Sequence, residues 1–139
     1  MNKKNIVFAI FYDPEGNVYV QKRGENYAHW GGGIEEGETP KKALFRELQE
    51  ELKYRPKKVI FREKYSFIVE DEGKYKDWEI NIYAFLIPAP ENFENFPVYE
   101  GNKVVKMSLD QAISEPNFLH KEDREILKEL KGCLALKTP

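Results

Sequence analysis

Apolar and polar residues along the chain recur with two periods, which predict both strands and helices. Segments rich in β-branched and aromatic residues predict strands at residues 6–12, 18–23, 59–69, 78–87 and 103–107. Apolar residues three or four positions apart predict helices at residues 40–52 and 121–131 and a helical turn at 108–113. About six strands, partly joined as hairpins, and two long helices predict an α+β fold and exclude a purely parallel wound sheet.

The connection between the first two predicted strands has the composition of a tight turn. It reads Asp13-Pro14-Glu15-Gly16-Asn17, with proline at the second turn position and glycine at the fourth, so we expect a hairpin. Arg23 ends the second strand shortly before a run of three glycines. Its guanidinium is expected either to reach a phosphate group or to remain an exposed cation at the strand end.

The strand at residues 78–87 has two chemically different faces. Ile80, Ile82, Ala84 and Leu86 alternate with a second set, which consists of Glu79, Asn81, Tyr83 and Phe85. A carboxylate and an amide beside two aromatic rings suit the wall of a nucleotide pocket. They suit equally a strand with one solvated half.

The helix at residues 40–52 begins with a clear signal. Thr39 suits the N-cap, and Pro40 suits the first helical position. Leu44, Leu48 and Leu52 recur every four residues and predict one buried face.

The polar face of this helix carries more acid than helix stability explains. At about 100° per residue, an arc of about 140° holds Arg46, Glu47, Glu50 and Glu51. Like charges at this spacing cost about 0.2–0.5 kcal/mol per pair, and the helix dipole disfavours acids near the C-terminus by about 0.3–1 kcal/mol each. A bound cation would explain the arrangement. An ordinary solvated helix with an Arg46–Glu50 ion pair is the alternative.

The spacing that leads from the glycines into the helix is long and specific. Gly32 is followed after five residues by Glu38, and after seven more by Arg46-Glu47-Leu48-Gln49-Glu50-Glu51. This stretch resembles the signature of the Nudix hydrolases, which cleave nucleoside diphosphates linked to a further group. Two positions depart from the family pattern. Lys53 stands where a helix-ending glycine is usual, which predicts a different helix exit, and Trp30 stands where a proline is common.

The resemblance implies a fold, an activity and a metal site. The fold is an α/β/α sandwich with a mixed β-sheet between helices, and the activity is metal-dependent pyrophosphate hydrolysis. Glu50 and Glu51 would be direct metal ligands, joined by a backbone carbonyl of Gly31 or Gly32. Glu47 would be a further ligand or the base that takes a proton from water. Mg²⁺ is the expected ion because it prefers oxygen ligands, and Mn²⁺ fits the same site.

The same resemblance assigns supporting roles to other residues of the motif. Arg46 would hold Glu47 or Glu50 in place. Gly37 and Glu38 would be structural, with Glu38 tying the loop to the helix through Arg46 or through a backbone N–H.

Further candidates follow from the resemblance outside the motif. Many members recruit one more carboxylate from a loop after the central strands, for which Glu100 is the first candidate and Glu79 the second. Candidate substrate contacts are Arg23, Trp30, Gly31, Glu79, Tyr83 and Asn117. Asn117 could read a base edge through its amide, whereas the aromatic rings could equally serve in packing.

Length and charge limit the classes of function. The chain has 139 residues, which predicts one domain over residues 1–139. Its 22 Lys and Arg against 24 Asp and Glu give a net charge of −2 without a basic stripe, so no duplex nucleic acid partner is expected.

Cysteine content and the N-terminus bear on the compartment. The single cysteine, Cys133, cannot form an internal disulfide, which suits a reducing compartment, and it is expected to pack beside the last helix, which Gly132 would end. The apolar run at residues 6–12 is too short to span a membrane. We therefore expect a soluble cytoplasmic protein, either a monomer or a homodimer.

Three functions compete. The first is hydrolysis of a nucleoside triphosphate, (d)NTP, to (d)NMP and pyrophosphate; it is favoured because the chain lacks, near Glu70, the proline that is frequent in relatives acting on ADP-ribose. The second is hydrolysis of dinucleoside polyphosphates, nucleotide sugars, ADP-ribose or RNA 5′ ends. The third is a non-catalytic nucleotide sensor, against which the full set of glutamates argues.

Overall fold

The computed structural model of the protein describes residues 1–98 and 102–135, with side chains through residue 131. Within these residues the chain forms seven strands, three α-helices and a short 3-10 helix. The strands are β1 Lys3–Tyr12, β2 Asn17–Arg23, β3 Asn26–Ala28, β4 Trp30–Gly33, β5 Ile60–Ile68, β6 Glu79–Pro88 and β7 Asn102–Ser108. The helices are α1 Pro40–Leu52, α2 Leu109–Ser114, α3 Lys121–Ala135 and the 3-10 helix Phe93–Asn95. A mixed β-sheet with helices confirms the predicted α+β fold.

The chain forms two compact units. The first unit combines Met1–Ala9 with Trp30–Ile87, and the second combines Ile10–His29 with the described part of Pro88–Pro139. β1 contributes residues to both units. A single domain over residues 1–139 stays a prediction.

The first unit contains the stretch that leads from the glycines into the acidic helix. β4 runs antiparallel to β1, with Val7 opposite Gly32 and Phe8 opposite Gly31. β5 and β6 form an antiparallel pair, and β6 lies beside β1 in the strand order. The strands predicted at residues 59–69 and 78–87 are therefore confirmed to within one residue at each end.

The second unit is built around β2, which pairs antiparallel with the end of β1, with β3 and with β7. The predicted hairpin turn is present: the Asp13 N–H donates to the Asn17 carbonyl at 3.1 Å, and the Gly16 N–H donates to the Asp13 carbonyl at 3.2 Å. The Asp13 carboxylate also accepts the backbone N–H of Asn17 at 2.9 Å, which fixes the turn from its own side chain.

α1 follows its sequence signals closely. The Thr39 hydroxyl accepts the Lys42 N–H at 3.2 Å, and Pro40 begins the helix. The predicted apolar face is confirmed, since Leu44, Leu48 and Leu52 are buried. The acidic residues therefore lie on the part of α1 that remains open to other partners.

The three glycines at residues 31–33 lie in a strand, β4, which the sequence did not predict. Residues of β4 are paired with β1 through their backbones, and backbone pairing needs no side-chain pattern. β3, immediately before it, was also not predicted, because three residues are too few to show an alternation.

The last helix is longer than predicted. α3 continues through Gly132 to Ala135, so Gly132 does not end it. A glycine inside a helix costs about 0.5–1 kcal/mol, which the burial of Ile126, Leu127 and Leu130 can outweigh. The expected packing of Cys133 lies outside the described side chains. No helix in the described part of the chain is long and apolar enough to cross a membrane.

The expectation of a different exit from α1 is wrong. Lys53 has φ 53° and ψ 38°, the left-handed conformation that a glycine would take. The Lys53 N–H donates to the Gln49 carbonyl at 3.1 Å, and the Tyr54 N–H reaches the Leu48 carbonyl at 3.5 Å. The helix thus ends in the usual glycine geometry with a lysine in the strained position.

Replacing Lys53 by glycine is expected to raise the free energy of unfolding by about 0.5–1 kcal/mol, because it relieves the strain of a side chain in the left-handed region. Urea denaturation measures the change as a higher midpoint at constant slope. Lys53→Ala is the matched control, since it removes the amine but keeps the Cβ. An equal gain in Lys53→Ala would assign the effect to charge and contradict the strain argument.

Candidate active site

Two glycines of β4 lie where a side chain would meet a neighbouring element, which is α1 for Gly32 and β1 for Gly31. A Cβ on Gly32 would lie 2.6 Å from both Cδ and Oε1 of Glu47, so a side chain there would force the Glu47 carboxylate to shift. Gly31 has φ +147°, and a Cβ on it would overlap the Val7 carbonyl oxygen. The carboxylate of Glu47 therefore lies directly against the backbone of β4.

Glu51 is fixed by the same strand. The Gly31 N–H donates to Glu51 Oε1 at 3.1 Å. This contact joins the C-terminal half of α1 to the glycine strand across 20 residues of sequence. The sequence predicted that the glycines and Glu51 belong to one site, and the structure brings them into contact.

Arg46 joins the loop, the helix and the glycine strand. It donates to Glu38 from Nε at 2.8 Å and from Nη2 at 2.9 Å, and to Glu47 Oε1 from Nη1 at 2.8 Å. Its Nη2 also donates to the Gly33 carbonyl at 2.9 Å. One guanidinium thus fixes both the orientation of Glu47 and the path of the loop.

Glu38 makes both of the contacts that the sequence analysis gave as alternatives. Besides its two bonds from Arg46, its Oε1 accepts the backbone N–H of Glu35 at 2.8 Å. Hydrogen bonds from Arg46, with the backbone bond from Glu35, lower the pKa of Glu38 to about 2. The hydrogen bond to Glu38 raises the pKa of Arg46 above its ordinary value. Both groups therefore stay charged at neutral pH.

Glu50 lies at the exposed side of this network. Its Oε2 is 3.7 Å from Arg46 Nη1, the same atom that donates to Glu47, and its side chain is 60% exposed. The predicted Arg46–Glu50 pair is present, but Arg46 binds Glu38 and Glu47 at shorter distances. Glu50 is therefore the carboxylate of α1 that can turn most freely toward a ligand.

The donor set fits a hard divalent cation in its chemistry, although it is not assembled as a cluster. Carboxylates of Glu47, Glu50 and Glu51 and the backbone of β4 supply oxygen ligands of the kind that Mg²⁺ and Mn²⁺ prefer. Among the described residues no three His, Cys, Asp or Glu side chains form a group that could hold a metal ion. Arg46 supplies positive charge to two of the carboxylates instead.

Glu79 contacts the chain at the start of β1. Its N–H donates to the Asn2 carbonyl at 2.9 Å, and its Oε2 lies 3.7 Å from Lys3 Nζ. The role of Glu79 as a further carboxylate for the metal ion stays a prediction. Glu100 lies outside the described residues.

Glu79 also belongs to a polar network on β6. The buried Asn81 amide donates to Glu79 Oε2 at 3.0 Å and to Asn5 Oδ1 at 2.9 Å, and it accepts the Ser66 hydroxyl at 2.6 Å. The hydrogen bond from Asn81 lowers the pKa of Glu79. On the same face of β6, Tyr83 is half-buried and Phe85 is buried. Two of the four residues of this face are thus buried, and its role as the wall of a nucleotide pocket stays a prediction.

The remaining candidate substrate contacts differ in exposure. Trp30 is 1% exposed, which favours packing over stacking on a ligand. Arg23 and Asn117 belong to the second unit, where both are exposed. Arg23 Nε donates to Gln21 Oε1 at 3.1 Å, and the Asn117 carbonyl accepts the Tyr27 N–H at 2.9 Å.

Two groups of the site were missed from the sequence. The Gly33 carbonyl could be found only by recognising β4 as a strand, and Glu35 contacts Arg46 at 3.7 Å from an exposed loop position. Glu35 lies in the same loop as Glu38, three residues before it. A second acidic residue in this loop was the sequence signal that could have indicated its contact with Arg46.

Comparison with known proteins assigns the family. The NUDIX domain matches residues 2–130. The 8-oxo-dGTP diphosphatase of Escherichia coli (strain K12) is 30% identical over 104 residues, 70% of this chain and 73% of the relative. The 8-oxo-dGTP diphosphatase of Proteus vulgaris is 38% identical over 60 residues, 37% of this chain and 54% of that protein. The solution structure of the E. coli ORF135 protein has a TM-score of 0.67 at 20% identity, covering 98% of this chain and 94% of the other. The chain belongs to the NUDIX domain family, and it is a Nudix pyrophosphohydrolase.

Proposed function

We propose that the protein hydrolyses a nucleoside triphosphate, (d)NTP, to (d)NMP and pyrophosphate with the help of Mg²⁺. Water adds to phosphorus, and one phosphoanhydride bond breaks. The contact that carries this proposal is the Glu51–Gly31 hydrogen bond, which joins the acidic helix to the glycine strand. Nudix hydrolases act on small nucleotide substrates and generally use divalent metal ions.

The residues of the motif would divide the work. Glu50, Glu51 and the Gly32 carbonyl would hold the metal ion, which when bound neutralises phosphate charge and lowers the pKa of water. Glu47 would be a further ligand or the general base, because its carboxylate is oriented by Arg46 at 2.8 Å. Arg46 would thereby be a positioning residue. Mn²⁺ is expected to replace Mg²⁺ because both are hard cations that prefer oxygen ligands.

Substrate contacts are proposed where side chains remain accessible. Arg23 would contact a phosphate and Asn117 would contact the base, since both side chains are exposed. Tyr83 is half-buried and offers part of its ring. The Gly31 backbone would bind substrate or metal only where Glu51 leaves it accessible. Glu100 keeps its proposed role as the additional carboxylate.

The setting of the protein is also part of the proposal. The single cysteine suits a reducing compartment, so we place the protein in the cytoplasm. A near-balanced charge of −2 is consistent with a small nucleotide as the partner rather than duplex nucleic acid. A monomer or a homodimer would serve this chemistry equally.

The test is a hydrolysis screen with Mg²⁺ and Mn²⁺, in which pyrophosphate and nucleoside monophosphate are both quantified. The first substrate is 8-oxo-dGTP, which names the activity of two relatives, followed by the ordinary (d)NTPs. We expect equal amounts of the two products. Faster cleavage of dinucleoside polyphosphates, ADP-ribose or capped RNA would overturn the substrate class. Nucleotide binding without turnover in either metal would identify a sensor and overturn the proposed catalysis.

A further inference from the structure

The segment that carries Asn117 is joined to β3 by a single parallel bridge. The Tyr27 N–H donates to the Asn117 carbonyl at 2.9 Å, and the Leu119 N–H donates to the Tyr27 carbonyl at 2.8 Å. Tyr27 and Phe118 form a parallel bridge, with their ring centroids 6.3 Å apart. The backbone of Asn117 is therefore fixed while its side chain is exposed.

After Leu119 the chain no longer pairs with β3. If the parallel pairing continued, the next donor after the Tyr27 N–H would be the His29 N–H, and its acceptor would be the carbonyl of Leu119, two residues after Asn117. The chain turns away there and begins α3 at Lys121. The His29 N–H donates instead to Asp123 Oδ1 at 3.2 Å. The side chain of Asp123 thus takes the place of a strand carbonyl.

Asp123 makes this contact from inside the protein. It is 1% exposed, and its second oxygen, Oδ2, has no hydrogen-bond partner among the described residues. The His29 Nε2 lies 3.3 Å from the Asp123 carbonyl oxygen, so the side chain of one residue meets the backbone of the other in both directions. The His29 ring also packs on Phe118, with centroids 5.9 Å apart.

Burial raises the pKa of Asp123 to about 6 and lowers the pKa of His29 to about 4. Three other charged or titratable groups lie around Asp123: His120 before the helix, and Glu122 and Arg124 on α3. His120 lowers the pKa of Asp123, and Glu122 raises it. Neither change outweighs desolvation, so Asp123 gains its charge only near neutral pH.

We propose that Asp123 is a positioning residue for nucleotide binding, because its carboxyl binds the His29 N–H directly after β3, anchors the start of α3 there, and so holds the preceding 117–119 segment in the position that presents Asn117 to the base. This inference rests on the proposed function through the role of Asn117. Asp123 itself is buried and touches no substrate. Its effect should appear in substrate affinity and not in the chemical step.

The test compares Asp123→Ala and Asp123→Asn by KM and kcat on the best nucleotide substrate at saturating Mg²⁺. Asp123→Ala leaves the buried His29 N–H without an acceptor, and we expect KM to rise roughly tenfold with kcat nearly unchanged. Asp123→Asn keeps an oxygen acceptor and should retain the wild-type KM. The double variant Asp123→Ala/Asn117→Ala should show no higher KM than Asn117→Ala alone. Independent, multiplicative increases in KM would overturn the proposal.

The failure of this inference is distinguishable from failure of the proposed function. Loss of nucleotide hydrolysis in every variant and in the wild type would refute the function. An unchanged KM in Asn117→Ala would refute only the role of the 117–119 segment. Amide exchange at Leu119 gives a readout without activity, and it should accelerate in Asp123→Ala and not in Asp123→Asn.

A pH titration tests the same contact if Asp123→Ala fails to fold. The raised pKa means that the folded protein binds this proton more tightly than the unfolded chain, so the contribution of Asp123 to stability falls as pH rises from about 4 to about 6. The pKa of His29 is lowered, so the contribution of His29 to stability rises with pH over an overlapping pH range. The Tm of Asp123→Asn relative to wild type should therefore rise by several degrees between pH 4 and pH 7.

NMR provides the matching local signal for the pH test. The His29 amide shift should titrate near pH 6 in the wild type and in the control Glu122→Gln, which removes the next acid on the same turn. It should not titrate there in Asp123→Asn. A His29 amide that titrates identically in all three proteins would show that Asp123 does not hold it.

Discussion

Replacing Glu51 by glutamine is expected to reduce turnover by roughly 10² or more while the fold is retained. Glutamine has the same shape and keeps an oxygen that can accept the Gly31 N–H, which Glu51 now accepts at 3.1 Å. What disappears is the negative charge next to the glycine strand. A loss of roughly 10² corresponds to about 2.7 kcal/mol of activation free energy. Single-turnover kinetics at saturating Mg²⁺ measure it directly.

The matched control removes one acid from the same motif without touching the network. Glu36 is exposed in the loop before α1, and Glu36→Gln should keep wild-type turnover and thermal stability. A second measurement separates metal binding from chemistry, since calorimetry with Mn²⁺ should show weaker binding in Glu51→Gln and unchanged binding in Glu36→Gln. Wild-type turnover in Glu51→Gln would remove the basis for assigning catalysis to this helix.

The sequence was most informative where structure depends on neighbours along the chain. α1 begins at Pro40 after the Thr39 cap and buries the predicted leucines because capping and periodicity are local properties. The contacts of Glu38 and Arg46 were also predicted, since both residues lie within one loop and the helix that follows it.

The sequence failed where a contact depends on backbone alone or on distant residues. Glycines have no hydrophobic pattern, so the pairing of β4 with β1 gave no signal, and the Gly33 carbonyl bond from Arg46 went unrecognised with it. The His29–Asp123 contact joins residues 94 positions apart, and neither lies in a motif.

Two errors concerned glycine as a signal for helix ends. Lys53 takes the left-handed conformation although a lysine there predicts another exit, and Gly132 lies within α3 although a glycine there predicts an end. In both places the surrounding structure outweighs a local preference of about 1 kcal/mol. The buried Leu48 and Leu52 hold α1, and the buried Leu127 and Leu130 hold α3. The conformational preference of a single residue therefore determines where a helix ends only when burial of the neighbouring side chains does not.

Replacing Gly32 of β4 by alanine is expected to reduce turnover, because catalysis by α1 requires the Glu47 carboxylate to lie close to this strand. In Gly32→Ala the new Cβ would meet the Glu47 carboxylate at 2.6 Å, so Glu47 must move away from its present position. Arg46, which donates to Glu47 at 2.8 Å, would be displaced with it. Because a displacement of about 1 Å can cost roughly 10²-fold in rate, we expect turnover to fall by that order.

Gly33→Ala is the matched control for this change, one residue along the same strand. A Cβ on Gly33 would meet nothing within 4 Å, and neither Gly32 nor Gly33 has a positive φ that would strain an alanine. The two variants therefore add the same methyl group at equal backbone cost, and they differ only in whether the Glu47 carboxylate is in its path. Gly33→Ala should keep its activity and its Mn²⁺ affinity, whereas Gly32→Ala should lose both. Equal losses in the two variants would mean that β4 tolerates a side chain at neither glycine, and the closeness of Glu47 to the strand would then explain nothing about catalysis.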